Sequence, residues 1–166
     1  MKLKLLFLAV AAMMFSCQPS QSEAEENDDE ESPLEGAWEI VQEDVTTSDS
    51  SWSRKPYRSL IMYTDNHYSI EIAWRERASW PDRADGEDVS DENIKDAYNG
   101  LTSNSGEYEI RGDSIYYNAI IAKSPNFMND WPKVARKFSL EGDQLVTNSK
   151  TFGGDGTTTT TYRRIE

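Results

Sequence analysis

Apolar and polar residues alternate along most of the chain from residue 34 onward. Near the start of this region, Trp38 and Ile40 fall on one side of an extended segment, and Glu39 falls on the other. A period of two is typical of a β-strand with one buried face. Gly36, just before this segment, lets the backbone turn or approach another segment closely. The pattern predicts a first strand with Trp38 on its inward face.

The same alternation recurs in later segments that are mostly joined by short turns. These segments are residues 57–63, 67–74, 107–111, 114–122, 134–140, 144–150 and 157–165. Glycine, Asp or Asn at 64–66, 112–113 and 141–143 is typical of hairpin turns. About eight strands in this order close most simply into an antiparallel up-and-down barrel, because closure leaves no exposed strand edge. We therefore predict an all-β fold whose interior is either filled or holds one small ligand.

One short helix is predicted within this series of strands, at residues 88–100. Ser90 is a suitable N-cap, acidic residues occupy the first turn, and Gly100 can end the helix. Five residues of this region could form a single apolar stripe, namely Val89, Ile94, Ala97, Tyr98 and Leu101.

The first residues of the chain have the pattern of an export signal. Lys2 and Lys4 precede an apolar run at residues 5–14, which is too short to span a hydrocarbon core of about 30 Å. Ser16 followed by Cys17 resembles the end of a bacterial lipoprotein signal peptide at residues 1–16. That resemblance implies lipidation of Cys17, the single cysteine of the chain, and a membrane partner through the lipid anchor. The alternative is an ordinary secretory signal that happens to contain a cysteine.

Residues 17–33 form an acidic segment without aromatic residues. Such a composition cannot bury enough apolar surface to order itself, so we predict a disordered tether between the anchor and a domain at residues 34–166. The segment resembles the surface-export tag of some Gram-negative lipoproteins, but a plain periplasmic spacer is equally compatible with it. The expected location is therefore that of an outer membrane lipoprotein, facing either the periplasm or the cell surface.

Charge argues against one class of partner. The formal net charge of the chain is −13, and phosphate backbones repel such a protein. We therefore predict no nucleic-acid partner.

Several short motifs follow one another in a recognisable order. They are Gly36-x-Trp38, Tyr98-x-Gly100, 106–110, 112–115, 124–126, Arg136 and 140–145. In this order they resemble the lipocalin-like domain family of bacteria and fungi. The resemblance implies a lipocalin-like barrel over residues 34–166 with a tryptophan at its base. Members often carry histidine in the strand that here contains Tyr116, Tyr117 and Asn118.

Strand parity predicts a set of side chains that face the barrel interior. The candidate ligand-binding residues among them are Trp38, Tyr63, Tyr68, Ile70, Trp74, Tyr108, Tyr117, Arg136 and Phe138. They either form a simple core or line a cavity for a small hydrophobic or amphipathic ligand.

Arg136 lies two positions from both Val134 and Phe138 in the same predicted strand, so its side chain is predicted to point inward with theirs. A buried guanidinium needs a partner. It either stacks on Trp38 and hydrogen-bonds a tyrosine or a carbonyl at the base, or it faces a cavity. In the second case it could bind an anionic head group, such as a carboxylate, through two hydrogen bonds.

The sequence offers little for catalysis or metal binding. His67 is the single histidine, and its parity is opposite to that of Tyr68, so we predict that it faces solvent. We predict no catalytic residue, no metal and no cofactor. The favoured function is that of a membrane-anchored protein that binds a small apolar or amphipathic ligand. The alternatives are a lipocalin-like isomerase, cyclase or hydrolase, and a closed-core envelope domain that makes surface contacts through Phe127 and Trp131.

Overall fold

A computed structural model describes residues 32–77, 79–80, 89–129, 134–151 and 155–166. The predicted signal peptide, Cys17 and nearly all of the acidic tether lie outside the described residues. The same is true of Trp131.

Short strands in antiparallel pairs make up most of the described chain. In chain order the strands are β1 (Gly36–Thr46), β2 (Ser51–Arg54), β3 (Arg58–Tyr63), β4 (His67–Ala73), β5 (Leu101–Arg111), β6 (Ser114–Ala122), β7 (Val134–Glu141), β8 (Gln144–Lys150) and β9 (Thr157–Arg164). Two helices interrupt them, α1 (Asp91–Asn99) between β4 and β5 and α2 (Asn126–Asn129) between β6 and β7.

The strands form one closed sheet. Each strand from β3 to β8 pairs with the next, and β9 pairs back onto β1 from Trp38 to Thr46. β2 and β3 pair with successive parts of the same edge of β1, so together they occupy one place in the ring. The result is a closed eight-stranded antiparallel barrel, which confirms the predicted fold class.

The two ends of the barrel differ in their connections. One end, called the base, holds the tight turns after β3, β5 and β7, together with the start of β1 and the end of β9. The other end, called the mouth, holds the connections that follow β1, β4, β6 and β8, including both helices. Among the residues described, no helix is both long and apolar enough to cross a membrane.

Gly36 fulfils its predicted role at the start of β1. Its φ is +121°, a conformation that side chains rarely permit. A Cβ at this position would lie only 2.4 Å from the backbone oxygen of Glu166. The glycine therefore lets the two termini of the domain meet at the base.

The predicted helix forms, but none of its residues is buried. The Ser90 side chain caps α1 by accepting a hydrogen bond from the backbone of Asn93, and Gly100 follows its last residue. No residue of α1 is buried, and Ile94 and Tyr98 are exposed. Polar contacts hold the helix instead, because the Tyr98 hydroxyl donates to the backbone oxygen of Lys123 at 3.0 Å. The apolar residues of the helix therefore lie outside the buried core.

The core lies inside the barrel and is densest toward the base. Its buried members are Leu34, Trp38, Ile40, Ile61, Tyr63, Tyr68, Ile70, Ile72, Tyr108, Ile115, Tyr117, Leu145 and Tyr162. Trp74, Ile110, Phe138 and Leu140 are half-buried and pack against this cluster.

Candidate functional site: the barrel interior

Trp38 closes the base of the barrel. Its side chain is completely buried, and its indole N–H donates to the backbone oxygen of Leu34 at 2.8 Å. Leu34 is itself completely buried, and Tyr108 binds the same segment through a hydrogen bond to the hydroxyl of Ser32. The segment before β1 therefore covers the barrel floor, and no ligand can enter from this end.

The arginine that stacks on Trp38 is Arg164, at the end of β9. Its guanidinium carbon lies 4.1 Å from the centre of the indole ring. The interpretation that Arg136 stacks on Trp38 was therefore wrong. Pairing of β1 with β9 places Arg164 directly opposite Trp38, and this pairing becomes apparent only when the barrel is closed.

Arg136 points into the barrel from β7, as its parity predicted. Its Nη1 donates to the hydroxyl of Tyr162 at 3.2 Å, and its guanidinium carbon lies 5.3 Å from the centre of the Tyr117 ring. Its Nε is buried and has no hydrogen-bond partner. Arg136 therefore hydrogen-bonds a tyrosine, as one interpretation required, but leaves part of its guanidinium unused inside the barrel.

Tyrosines surround this guanidinium. The hydroxyls of Tyr63 and Tyr117 lie 2.6 Å apart and share a hydrogen bond. The rings of Tyr68 and Tyr117 meet edge to face at 4.8 Å between centroids, and those of Tyr63 and Tyr108 do so at 5.1 Å. Four of the predicted site residues thus form one contiguous aromatic cluster on neighbouring strands.

Burial keeps these tyrosines neutral. Loss of hydration raises the pKa of Tyr68 to about 12 and also raises the pKa of Tyr63 and of Tyr117, although the charge of Arg136 opposes the shift at each. Burial by itself would lower the pKa of Arg136, and the Coulombic attraction to Tyr162, Tyr117 and Tyr63 that raises it acts only where those tyrosines are ionised. The interior thus contains a permanent cation among neutral hydroxyls.

Toward the mouth the inward side chains become shorter. Cross-strand neighbours project to the same face of a sheet. Ser59 and Thr102 both pair with Ile72, and Asn104 pairs with Ile70. Since both isoleucines face inward, the three polar side chains also face the interior of the barrel. The short inward side chains of this half are Ser59, Thr102, Asn104, Ala119, Ser149 and Thr158, and each is only half-buried. Val45, Ile70 and Ile72 add an apolar surface beside them.

An ion pair and an indole lie at the rim of the mouth. Glu43 is 8% exposed and accepts a hydrogen bond from Nε of Arg54 at 2.7 Å. The guanidinium of Arg54 lies 3.8 Å from the centre of the Trp74 ring, and the indole N–H of Trp74 donates to Thr102 at 2.9 Å. This group fixes one side of the entrance by linking β1, β2 and β5.

The predicted site residues fall into two groups. Trp38, Tyr63, Tyr68, Ile70, Tyr108 and Tyr117 are buried, whereas Trp74, Arg136 and Phe138 are half-buried. Sequence reasoning missed Tyr162 and Thr147, whose oxygens lie 3.4 Å apart beside Arg136. It also missed Arg164. The alternation of Thr158, Thr160 and Tyr162 in β9 was the available signal for an inward face.

His67 is exposed at the base, where Nδ1 lies 2.6 Å from the side-chain oxygen of Asn66. It therefore faces solvent, as predicted, and lies away from the tyrosine cluster. Phe127, one of the two aromatic residues predicted to make surface contacts, is half-buried. Within the described ranges, no group of three or more His, Cys, Asp or Glu side chains is arranged to hold a metal ion.

Comparison with known proteins agrees with this architecture. A family model described as the lipocalin-like domain matches residues 35–165, which extend from the start of β1 past the end of β9. No curated protein and no solved structure matches the chain. The match over the whole barrel confirms the resemblance seen in the sequence, and the chain belongs to the lipocalin-like domain family.

Proposed function

We propose that this protein binds a small apolar or amphipathic molecule inside the mouth half of the barrel. The observation that carries the proposal is the change in side-chain size along the interior. Large residues such as Trp38, Ile115 and Leu145 are completely buried toward the base. Short residues such as Ser59, Ala119 and Ser149 face inward toward the mouth and are only half-buried.

This gradient favours binding over a purely structural core. A core without function gains stability from close packing of large apolar side chains. Short hydroxyl and amide side chains contribute little apolar area and need partners for their polar groups. Ligand sites typically combine an apolar wall with a few such polar groups, and here Val45 and Ile72 supply the wall.

A titration of the full chain, purified in detergent-free buffer, tests the proposal. Tryptophan fluorescence is the readout, because Trp74 lies at the rim of the mouth. The probes are decanol, decanoate, a sterol and a retinoid, each below the concentration at which it forms micelles. We expect saturable quenching with at least one probe, and saturation with none would overturn the proposal.

A pair of neighbouring substitutions locates the site. Ala119 faces inward opposite Gly106, whereas Asn118 has the opposite parity and is exposed. We expect Ala119→Phe to fill part of the mouth half and weaken binding by about tenfold or more, because the ring takes up volume that a bound ligand needs. Asn118→Phe adds the same ring outside and should leave binding unchanged. Equal affinity of both variants would place the ligand elsewhere.

We further propose that the protein is lipidated at Cys17 and held at the outer membrane. The support is the sequence pattern alone, an apolar run followed by Ser16 and the single cysteine of the chain. Mass spectrometry of the protein from membranes should find an acylated N-terminal cysteine, and Cys17→Ser should release the protein from the membrane fraction. An unmodified thiol at Cys17 would overturn this proposal and would leave the binding proposal untouched.

A further inference from the structure

The guanidinium of Arg136 has one edge that the protein does not use. Nη1 donates to Tyr162, and the buried Nε has no partner. In a planar guanidinium, Nε–H and one N–H of Nη2 point in the same direction, and this edge matches the two oxygens of a carboxylate. The Nη1 contact therefore leaves the carboxylate-binding edge without a partner from the protein, and because Nε is buried, a carboxylate reaches it only when neighbouring side chains move.

The charge of Arg136 is not balanced within the described part of the chain. The ion pairs found there involve other arginines and lysines, and Arg136 belongs to none of them. Its neighbours Tyr117 and Tyr162 are phenols that carry no charge at neutral pH. A cation that is half-buried and unpaired has lost part of its hydration without compensation, so an anion at this position would remove an unfavourable contribution.

Hydroxyl groups near the free edge can complete an anion site. The Tyr63–Tyr117 pair can donate only one proton within itself, so one hydroxyl keeps a donor for another acceptor. Thr147 lies 3.4 Å from the Tyr162 hydroxyl and is 1% exposed. Together these groups offer neutral donors around a fixed charge, which is how proteins usually hold a carboxylate away from water.

The shape of the interior sets the direction of a bound molecule. Toward the base the barrel is filled by completely buried residues, including Trp38 and Leu145, and the completely buried Ile115 lies directly opposite Arg136. Above it, the short inward side chains and the wall of Val45 and Ile72 lead to the mouth. A head group on Arg136 can therefore extend its tail only toward the mouth.

From this geometry we infer that the ligand is an amphipathic carboxylate, such as a fatty acid, bound with its carboxylate on Arg136 and its tail toward the mouth. This inference rests on the proposed binding function and names the chemical class of its ligand.

Matched ligands and matched variants test it. Decanoate, decanol and decyltrimethylammonium share one tail and differ in head-group charge. The full chain, Arg136→Gln and Arg163→Gln are each titrated with all three by calorimetry. Arg163→Gln is the control, because it removes the same charge from an exposed side chain that pairs with Glu39 on the outer surface.

We expect the unchanged chain to bind decanoate at least about tenfold more tightly than decanol, as two charge-assisted hydrogen bonds imply. Arg136→Gln should lose this preference and keep its affinity for decanol, whereas Arg163→Gln should keep the preference. Equal affinity of the unchanged chain for decanoate and decanol would overturn the inference, whether or not Arg136→Gln folds. A preference that survives in folded Arg136→Gln would overturn it as well. If none of the three amphiphiles binds to the unchanged chain, the proposed binding function itself is overturned.

Discussion

The guanidinium of Arg164 lies over the indole of Trp38, with 4.1 Å between its central carbon and the ring centre. It also donates to the backbone oxygens of Pro33, at 3.0 Å, and of Glu35. These contacts join the last strand, the first strand and the segment that covers the base. They close the ring of strands at the point where the termini meet, so we expect them to carry a large share of the barrel's stability.

Replacing Arg164 with methionine should lower the free energy of unfolding by about 2–3 kcal/mol, since it removes charge-assisted hydrogen bonds and a cation–π contact. Urea denaturation of the full chain measures this change. Arg163→Met is the control, because Arg163 is exposed and pairs with Glu39 on the outer surface, and such pairs contribute about 0–1 kcal/mol. Equal losses at both positions would contradict the role assigned to Arg164.

The same substitution at Arg136 should have the opposite effect. Arg136 is half-buried and belongs to no ion pair among the described residues, and replacing such a cation with an apolar side chain of similar length is often neutral or stabilising by about 1 kcal/mol. We therefore expect Arg136→Met, without ligand, to unfold at the same or a higher urea concentration than the unchanged chain. A loss of more than about 2 kcal/mol would mean that the contacts of Arg136 with Tyr162 and Tyr117 outweigh the cost of burying its charge.

Strand parity was sufficient to predict most of the barrel. Segments with strict alternation, such as the one containing Tyr68, Ile70 and Ile72, gave both the strand and its inward face. Bounds were reproduced within a residue for several strands, and β6 and β8 have the predicted bounds. The hydrophobic effect acts on each position separately, so a strand and its inward face can be predicted without knowing which other strands it pairs with.

Elements without a hydrophobic face escaped prediction. β2 is exposed at every residue, and α2 is a single short turn of helix. The first half of β5 carries Thr102, Ser103 and Asn104, and its side chains toward the mouth are small and polar. Thr102 and Asn104 face the proposed site, so the residues that leave no hydrophobic pattern in the sequence are among those proposed to contact the ligand.

Contacts between distant strands could not be derived from parity. The sequence predicted that Arg136 points inward, but not whether it reaches Trp38 or Tyr162. That choice depends on closure, because β9 brings both Tyr162 and Arg164 beside β1. The tyrosine cluster is a further example, since Tyr63 and Tyr117 are separated by 54 positions in the chain.

The hydrogen bond between Tyr63 and Tyr117 should appear as a strong coupling. Removing either hydroxyl leaves the other buried without its partner, so Tyr63→Phe and Tyr117→Phe should each cost about 1–2 kcal/mol. The double variant should cost little more than either one, which gives a coupling energy of about 1 kcal/mol in a double-mutant cycle. Tyr68→Phe combined with Tyr63→Phe is the control, since Tyr68 meets the cluster through its ring edge. Additive losses for the pair Tyr63 and Tyr117 would contradict the shared bond.

The barrel should lose stability in alkaline solution because its tyrosines resist ionisation only while the chain is folded. Burial raises the pKa of Tyr68 from 10.0 to about 12 and moves the pKa of Tyr63 and of Tyr117 in the same direction. Above pH 10.0 the unfolded chain therefore binds fewer protons than the folded chain, and the free energy of unfolding must fall as pH rises. The stabilisation is fully present below pH 10.0 and is lost progressively as pH approaches about 12.

Urea denaturation at a series of pH values measures this loss, and phenolate absorbance recorded with circular dichroism identifies its source. We expect the free energy of unfolding to fall by at least about 1 kcal/mol per pH unit above pH 10.0, and part of the phenolate signal to emerge only when the sheet signal disappears. Tyr68→Phe should reduce the slope, because it removes one of the groups whose pKa is raised by burial. Complete ionisation of the tyrosines in a chain that keeps its sheet signal would show that water reaches the cluster freely, and the interior described around Arg136 would then be incorrect.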